Sequence, residues 1–278
     1  NNISDTRLRN TSLNSEVVFR KGGATFAAIK GKIDSSNING EIRLRFGEVK
    51  SAFANLKIDK LNLDSYINSN ENNEVNNSNR YNLFSFDVLN FDIELEDLLL
   101  FKNKYNNITL KNSYKNKILN IEKLEILDFA GGDLKVSGEI NYEKKDKEYY
   151  LFMDLSHNNF SQLNDFFTLP NLLKDFVIGD GSISFATEGN LNKLKSKIIF
   201  KNIDSNITYE GYFDVSNYSV NDFSGDLSIF SKNLLGFAEE GEIIYSSEIS
   251  KKNNILSIKN INIDLSNNKH LGNILINN

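Results

Sequence analysis

Hydrophobic and polar residues alternate along most of this chain. Ile42, Leu44 and Phe46 are separated by single arginines, and the segment 91–96 shows the strictest two-residue period in the sequence. Alternation of this kind is typical of a β-strand that buries one face and exposes the other. The pattern predicts strands over 16–64 and again from residue 91 onward.

Glycine-marked turns separate many of these predicted strands. Gly131 and Gly132 precede the alternating pair Leu134 and Val136, and 179–189 repeats the arrangement. A glycine turn followed by an alternating strand predicts antiparallel hairpins. We count about 17 candidate strands, which at about 4.8 Å each would form a sheet roughly 80 Å wide. Because open sheets above about ten strands curl or split, the predicted fold is mainly β, with a long, strongly curled antiparallel sheet shaped like a groove or taco.

Two segments interrupt the strand pattern. Apolar residues three and four positions apart predict one or two short helices near 161–176, on either side of Pro170. The segment 68–80 is almost wholly Asn, Ser and Glu and reads as a loop or linker. This predicts an N-terminal part of the sheet region over 1–67, the linker over 68–80, and a second β region over 81–278 that continues beyond the fragment.

Composition narrows the functional classes. The chain has 278 residues, no cysteine, a net charge of −5 and one methionine, Met153. The absence of cysteine excludes disulfides and thiolate metal sites, and the mild, scattered charge argues against nucleic acid as a partner. No apolar run reaches the roughly 18 residues of a membrane-spanning helix. Since the only methionine is internal, we expect a piece of a longer protein, with any signal or anchor before Asn1.

Residues that could carry chemistry are few. His157 and His270 each lack a carboxylate or second histidine at ligand spacing, and His157 is interpreted as a turn residue at a strand end. Asp92, Glu94 and Glu96 alternate strictly, which predicts the solvent face of one strand. The glycine pairs lack the context of a nucleotide-binding loop, and neither a nucleophile elbow nor a zinc-protease motif is present. The sequence therefore predicts no catalytic residue, metal or cofactor.

The apolar residues of the predicted strands form the candidate site. If every strand has one apolar face, a second layer must cover it, or the sheet must leave it open as a trough. Alternation alone does not choose between the two. The parity also changes within one strand, between Ile258 and Ile261, which leaves its register open. The residues predicted to line a lipid groove are Ile42, Leu44, Phe46, Phe91, Ile93, Leu95, Leu134, Val136, Ile183, Phe185, Ile261, Ile263 and Leu265.

Three segments carry a resemblance to a known family. They are 56–67 with its Leu-x-Leu-Asp-x-Tyr motif, the glycine-pair hairpin within 119–140, and 161–176 followed by the hairpin 181–189. In order and spacing over most of 24–230, the chain resembles the AsmA-like proteins of Gram-negative bacteria, which include TamB- and YhdP-type relatives. The Asn-rich linker, the missing membrane anchor and the weak match after residue 235 depart from that pattern.

The resemblance implies a location and a function. It implies a periplasmic protein held to the inner membrane by a segment outside this fragment, with a possible outer-membrane partner. It also implies an apolar β-groove that carries phospholipid acyl chains during outer-membrane biogenesis, without catalysis. The alternative is a structural or scaffolding β protein with a closed core that assists outer-membrane protein assembly. A carbohydrate-processing β-solenoid enzyme ranks below both, because the strand spacing is irregular.

Overall fold

The protein is almost entirely β-strand. The computed structural model describes residues 10–65, 86–100, 102–144, 146–160, 179–216, 219–232, 242–252, 255–265 and 268–277. These residues form a 16-stranded sheet whose strands follow one another in chain order, with β1 and β16 at its edges. The prediction of a mainly β fold built on a long open sheet is therefore confirmed. The helices predicted near 161–176 lie outside the described residues.

The first of two compact units spans Asn1–Phe129. Its strands are β1 (Thr11–Arg20), β2 (Gly23–Ile33), β3 (Ser36–Arg45), β4 (Ser51–Asn62), β5 (Val88–Leu100), β6 (Asn103–Lys115) and β7 (Ile118–Phe129), with a 3-10 turn over Leu63–Ser65. Neighbouring strands pair antiparallel except β4 and β5, which are parallel. The expectation of a wholly antiparallel sheet is wrong at this pair. Parallel neighbours need a long return connection rather than a tight turn, and 63–87 supplies it.

The predicted linker at 68–80 lies outside the described residues, within that connection. The strands on either side of it pair directly, with Ser51 opposite Val88 and Ile58 opposite Leu95. Both strands belong to the first unit, and the division into two units falls between Phe129 and Ala130.

The second unit spans Ala130–Asn278. Its strands are β8 (Gly132–Asn141), β9 (Glu148–His157), β10 (Gly181–Asn190), β11 (Lys193–Lys201), β12 (Ser205–Ser216), β13 (Ser219–Ser231), β14 (Ile243–Lys252), β15 (Ile255–Leu265) and β16 (Asn268–Asn277). Each pairs antiparallel with the next. Short connections join most of these strands, whereas residues 158–180 separate β9 from β10 and residues 232–242 separate β13 from β14.

Bulges correct the alternation where apolar residues are three positions apart. In β15, Ile258 lies opposite Ile274 and Ile261 opposite Gly272, so one residue is inserted between them. At this bulge Asn260 adopts a left-handed backbone conformation with a φ of 52°. At the bulge in β2, Ala28 does so with a φ of 48°. A bulge bends the strand and turns the next side chain back to the original face. The parity change at Ile258 and Ile261 therefore keeps both isoleucines on one face.

The opposite face of the first unit carries the charges. Lys57 Nζ lies 2.6 Å from Glu94 Oε2 on the neighbouring strand, and Lys111 Nζ lies 2.8 Å from Glu122 Oε2. These contacts hold the pKa of both lysines above the usual value, chiefly through the hydrogen bonds to the glutamates. Asp92 is in register with Lys111. The acidic alternation at 92–96 is the polar face of β5, as predicted.

Candidate functional site

In the first unit, strand register gathers the predicted groove residues onto one side of the sheet. Ile42 and Phe91 both flank Ala54, and the next rows along the strands contain Ile93 and Leu95. We call this surface the apolar face of the first unit; its members within the strands include Ala24, Phe26, Ile29, Ile38, Ile42, Leu44, Ala52, Ala54, Leu56, Ile58, Leu89, Phe91, Ile93, Leu95, Ile108, Leu110, Leu124 and Ile126.

Exposure varies across this face. Leu95 is buried, whereas Ile42, Leu44, Phe91 and Ile93 are only half-buried. Phe46 lies just past the end of β3, where it is 52% exposed. Its backbone N–H donates to the carbonyl of Gly22, so it continues the strand pairing at the rim of the face rather than at its centre.

The second unit repeats the arrangement. Leu134 and Ile183 both lie opposite Leu155, and Val136 and Phe185 both lie opposite Met153. We call this surface the apolar face of the second unit; its members within the strands include Leu134, Val136, Leu151, Met153, Leu155, Ile183, Phe185, Ile198, Phe200, Ile207, Tyr209, Leu227, Ile229, Tyr245, Ile261 and Ile263.

The predicted residues of β15 also belong to the apolar face of the second unit. Ile263 lies opposite Tyr245 and Ile261 follows it on the same side, where it is buried. Leu265, at the end of the strand, is 37% exposed. Sequence reasoning missed the partners that complete the face, such as Leu155 and Phe200, although both belong to alternating segments. Alternation reveals that a strand has an apolar face, and only the register shows which faces meet.

An aromatic cluster closes one margin of the apolar face of the second unit. The ring of Phe160, just beyond β9, is fully buried between His157 at 5.6 Å and Phe200 at 5.3 Å. Its Cε2 atom is 3.3 Å from the position that a Cβ would take at Gly181. The main-chain N–H of Phe160 donates to Gly179 O at 2.8 Å. The phenyl ring therefore occupies the space that the missing side chain of Gly181 leaves.

His157 supports this cluster with both ring nitrogens. Nδ1 accepts a 2.8 Å hydrogen bond from the N–H of Asn159, and Nε2 lies 2.6 Å from the carbonyl oxygen of Ala130. Since Nδ1 accepts, the ring proton sits on Nε2 and is donated to the carbonyl. Both nitrogens contact main-chain atoms of the surrounding turns. His157 is the last residue of β9, so it lies at the strand end that the sequence predicted, but within the strand rather than in the turn.

Tyr209 covers a pair of glycines at the centre of the same face. Gly211 and Gly225 lie opposite each other on β12 and β13. A Cβ at Gly211 would lie 2.5 Å from Tyr209 Oη, and one at Gly225 would lie 2.9 Å from Cζ of the same ring. The ring therefore fills the space that the glycines leave, and its hydroxyl lies 3.4 Å from Tyr212 O. Burial, with a smaller contribution from the charge of Asp226, raises the pKa of Tyr209 to about 12.

The raised pKa of Tyr209 predicts a loss of stability at alkaline pH. The folded state holds the phenol proton more tightly than the unfolded chain, whose tyrosines ionise near 10.0. The resulting stabilisation is complete below pH 10 and is lost as the pH rises toward 12. We expect urea midpoints of the wild type to fall more steeply over this range than those of Tyr209→Phe. Parallel pH profiles for the two proteins would contradict the assignment.

The polar face of the second unit contains a shallow hollow lined by Tyr150 and Phe152, whose rings meet edge-on at 5.0 Å. The charged groups at its border face one another: Lys195 Nζ is 3.9 Å from Glu188 Oε1. Within the described residues, no group of three or more His, Cys, Asp or Glu side chains could hold a metal ion. No helix in the same part of the chain has the length and hydropathy needed to cross a bilayer.

The candidate functional site of the described residues is therefore the pair of apolar faces, one in each unit. They present rows of aliphatic and aromatic side chains, with the charges directed to the opposite side of the sheet. Comparison of the chain with family models, with curated proteins and with solved structures finds no match in any of the three.

Proposed function

We propose that this chain binds lipid acyl chains along the apolar faces of its sheet and carries phospholipid between membranes. The proposal is supported above all by one observation. Many large apolar side chains on these faces, including Ile93, Leu134 and Phe185, are half-buried rather than buried. A face that is apolar over consecutive strands and still accessible offers an acyl chain continuous non-polar contact.

The size of the hydrophobic effect makes such a face useful for transport. Each CH₂ group kept out of water is worth about 0.8 kcal/mol, so exposing a 16-carbon chain to water costs on the order of 10 kcal/mol. A continuous apolar face lowers that barrier without any bond being made or broken. Transport of this kind requires no catalytic residue and no cofactor.

The wider setting follows the resemblance to the AsmA-like proteins. In this proposal the chain is a periplasmic part of a protein anchored to the inner membrane by a segment outside the fragment. An outer-membrane partner would receive the lipid. The scaffolding alternative, with a closed core, is favoured by one observation: Leu155, Phe160 and Phe200 are almost completely buried. At that margin the face is filled by the protein itself.

Native mass spectrometry with lipid extraction tests the proposal. The protein, purified gently from a Gram-negative host, is expected to carry phospholipid. Replacing Ile93 and Leu134 with Asp should remove most of that lipid, because a charge on the apolar face must be desolvated when an acyl chain covers it. Circular dichroism should report unchanged β content, since both residues are only half-buried.

The matched control is Lys135→Asp, one position away from Leu134. Its side chain occupies the opposite face of β8 and is exposed, so lipid content should match the wild type. The proposal would be contradicted if the wild type carried no lipid and melted cooperatively at a temperature that added phospholipid did not change. It would favour the closed-core scaffolding function instead.

A further inference from the structure

Strand β1 forms an edge of the sheet with apolar side chains exposed on both faces. Among the described strands it pairs only with β2. Val17 and Phe19, on the apolar side, are 42% and 78% exposed, and Val18, on the other side, is 46% exposed. The outer N–H and C=O groups of an edge strand can pair with another strand. Soluble proteins usually protect such an edge, and here the residues at 16–20 include neither proline nor a bulge.

The sequence of this edge is complementary to itself. If two copies pair antiparallel about Val18, that residue faces its own counterpart, and Val17 faces Phe19 of the second copy. The same register places Glu16 opposite Arg20 of the second copy, and the symmetry repeats this pair. Glu16 and Arg20 lie on the same side of β1 as Val18, as their register with β2 shows. Opposite charges and apolar residues directly across antiparallel strands stabilise the pairing.

We propose that β1 is a self-association edge, at which a second copy of this chain adds its own β1 about a two-fold axis midway between the two Val18 residues. The charge complementarity of 16–20 selects this occupant. The other edge, β16, contains Lys269 and no acidic residue, so it offers neither a matching carboxylate nor a symmetric ion pair. An antiparallel pair with the same patch on both subunits closes as a dimer and does not polymerise.

This pairing has a structural consequence. When the two-fold axis is perpendicular to the sheet, paired residues point to the same side in both copies. Phe19 and Val17 of each copy therefore extend the apolar face of the first unit across the junction, and the charged pairs stay on the polar face. The association itself does not depend on lipid binding and is tested without lipid.

Cysteine crosslinking tests the register directly, because the chain has no cysteine of its own. In Val18→Cys the two thiols lie across the axis, with Cα atoms about 4.5–5.5 Å apart, within the range for a disulfide. Mild oxidation should give a single covalent dimer. Ser12→Cys is the matched control: it is exposed on the same strand, and in this register it faces no residue of the second copy's β1. It should form no disulfide-linked dimer on a non-reducing gel, although it still associates non-covalently like the wild type.

Charge reversal tests the choice of partner by sedimentation. Glu16→Arg and Arg20→Glu alone should each weaken the dimer by about tenfold, because two attractive pairs become repulsive. An equimolar mixture of the two variants should associate again, as each supplies the charges that the other lacks. The side chains of Glu16 and Arg20 are exposed, so circular dichroism should show the wild-type fold in both variants.

Three results would overturn the proposal. One is a wild type that remains monomeric at every concentration tested. Another is a dimer whose association is insensitive to both charge reversals, since this would place the contact at β16 or elsewhere. The third is failure of Val18→Cys to crosslink under conditions in which the wild type sediments as a dimer.

Discussion

Replacing Phe160 with alanine should destabilise the second unit by about 3–5 kcal/mol, the range measured for fully buried aromatic side chains. The ring is 0% exposed and packs against His157 and Phe200. Its removal leaves a cavity between a glycine and two aromatic rings that the sheet backbone is too constrained to fill. Chemical denaturation monitored by tyrosine fluorescence measures the loss.

Phe152→Ala provides the control for this experiment. It removes the same atoms from a position on the polar face of β9, where the ring is 41% exposed. A smaller change is expected there, because the ring is only partly buried and its ring contact is with the exposed Tyr150. An equal loss in the free energy of unfolding for the two variants would show that Phe160 does not hold the margin of the apolar face in place.

The second large effect is expected at Gly211. In Gly211→Ala the added Cβ would overlap the carbonyl oxygen of Ser224, lie 2.6 Å from Gly225 Cα and lie 2.5 Å from Tyr209 Oη. The backbone contacts belong to the paired strand and cannot move aside as a flexible side chain would. We expect a loss of about 1–3 kcal/mol, together with displacement of the Tyr209 ring, which near-ultraviolet circular dichroism would report.

Gly272→Ala separates this steric effect from the general effect of glycine in a strand. A Cβ at Gly272 meets no atom within 4 Å, so the substitution should be neutral or stabilise by about 0.4–1 kcal/mol through the unfolded chain. Destabilisation of the same size at both positions would mean that the close approach of β12 and β13 at Gly211 is not the cause.

The sequence predicted part of each apolar face. Ile42, Phe91, Leu134 and Ile183 could be named because each lies in a segment of strict alternation, and the registers do place such residues on common faces. Whether the faces bind lipid stays a prediction, as does the resemblance from which the periplasmic setting comes. Phe46 could not be placed from the pattern, because alternation continues one residue past the end of β3.

Other features depend on contacts between distant residues. The fully buried Phe160 follows a strand and precedes a proline-containing segment, and nothing in its local sequence marks it as a core residue. The space it occupies exists because Gly181 lies beneath it and Phe200 beside it. Likewise, the cover that Tyr209 forms over Gly211 and Gly225 requires two glycines from different strands to meet.

The sequence by itself determined that this chain is a β protein whose strands each have one apolar face, because a two-residue period fixes where each side chain of an extended strand points. The tertiary structure alone decided how those strands are arranged. It made β4 and β5 parallel. Two parallel neighbours require a long connection between them, and only the folded chain shows that this connection leads to parallel pairing. It also used bulges at Ala28 and Asn260 to keep residues three apart on one face. Register and bulges are properties of strand pairs, whose energies come from cross-strand hydrogen bonds and packing that no single segment contains.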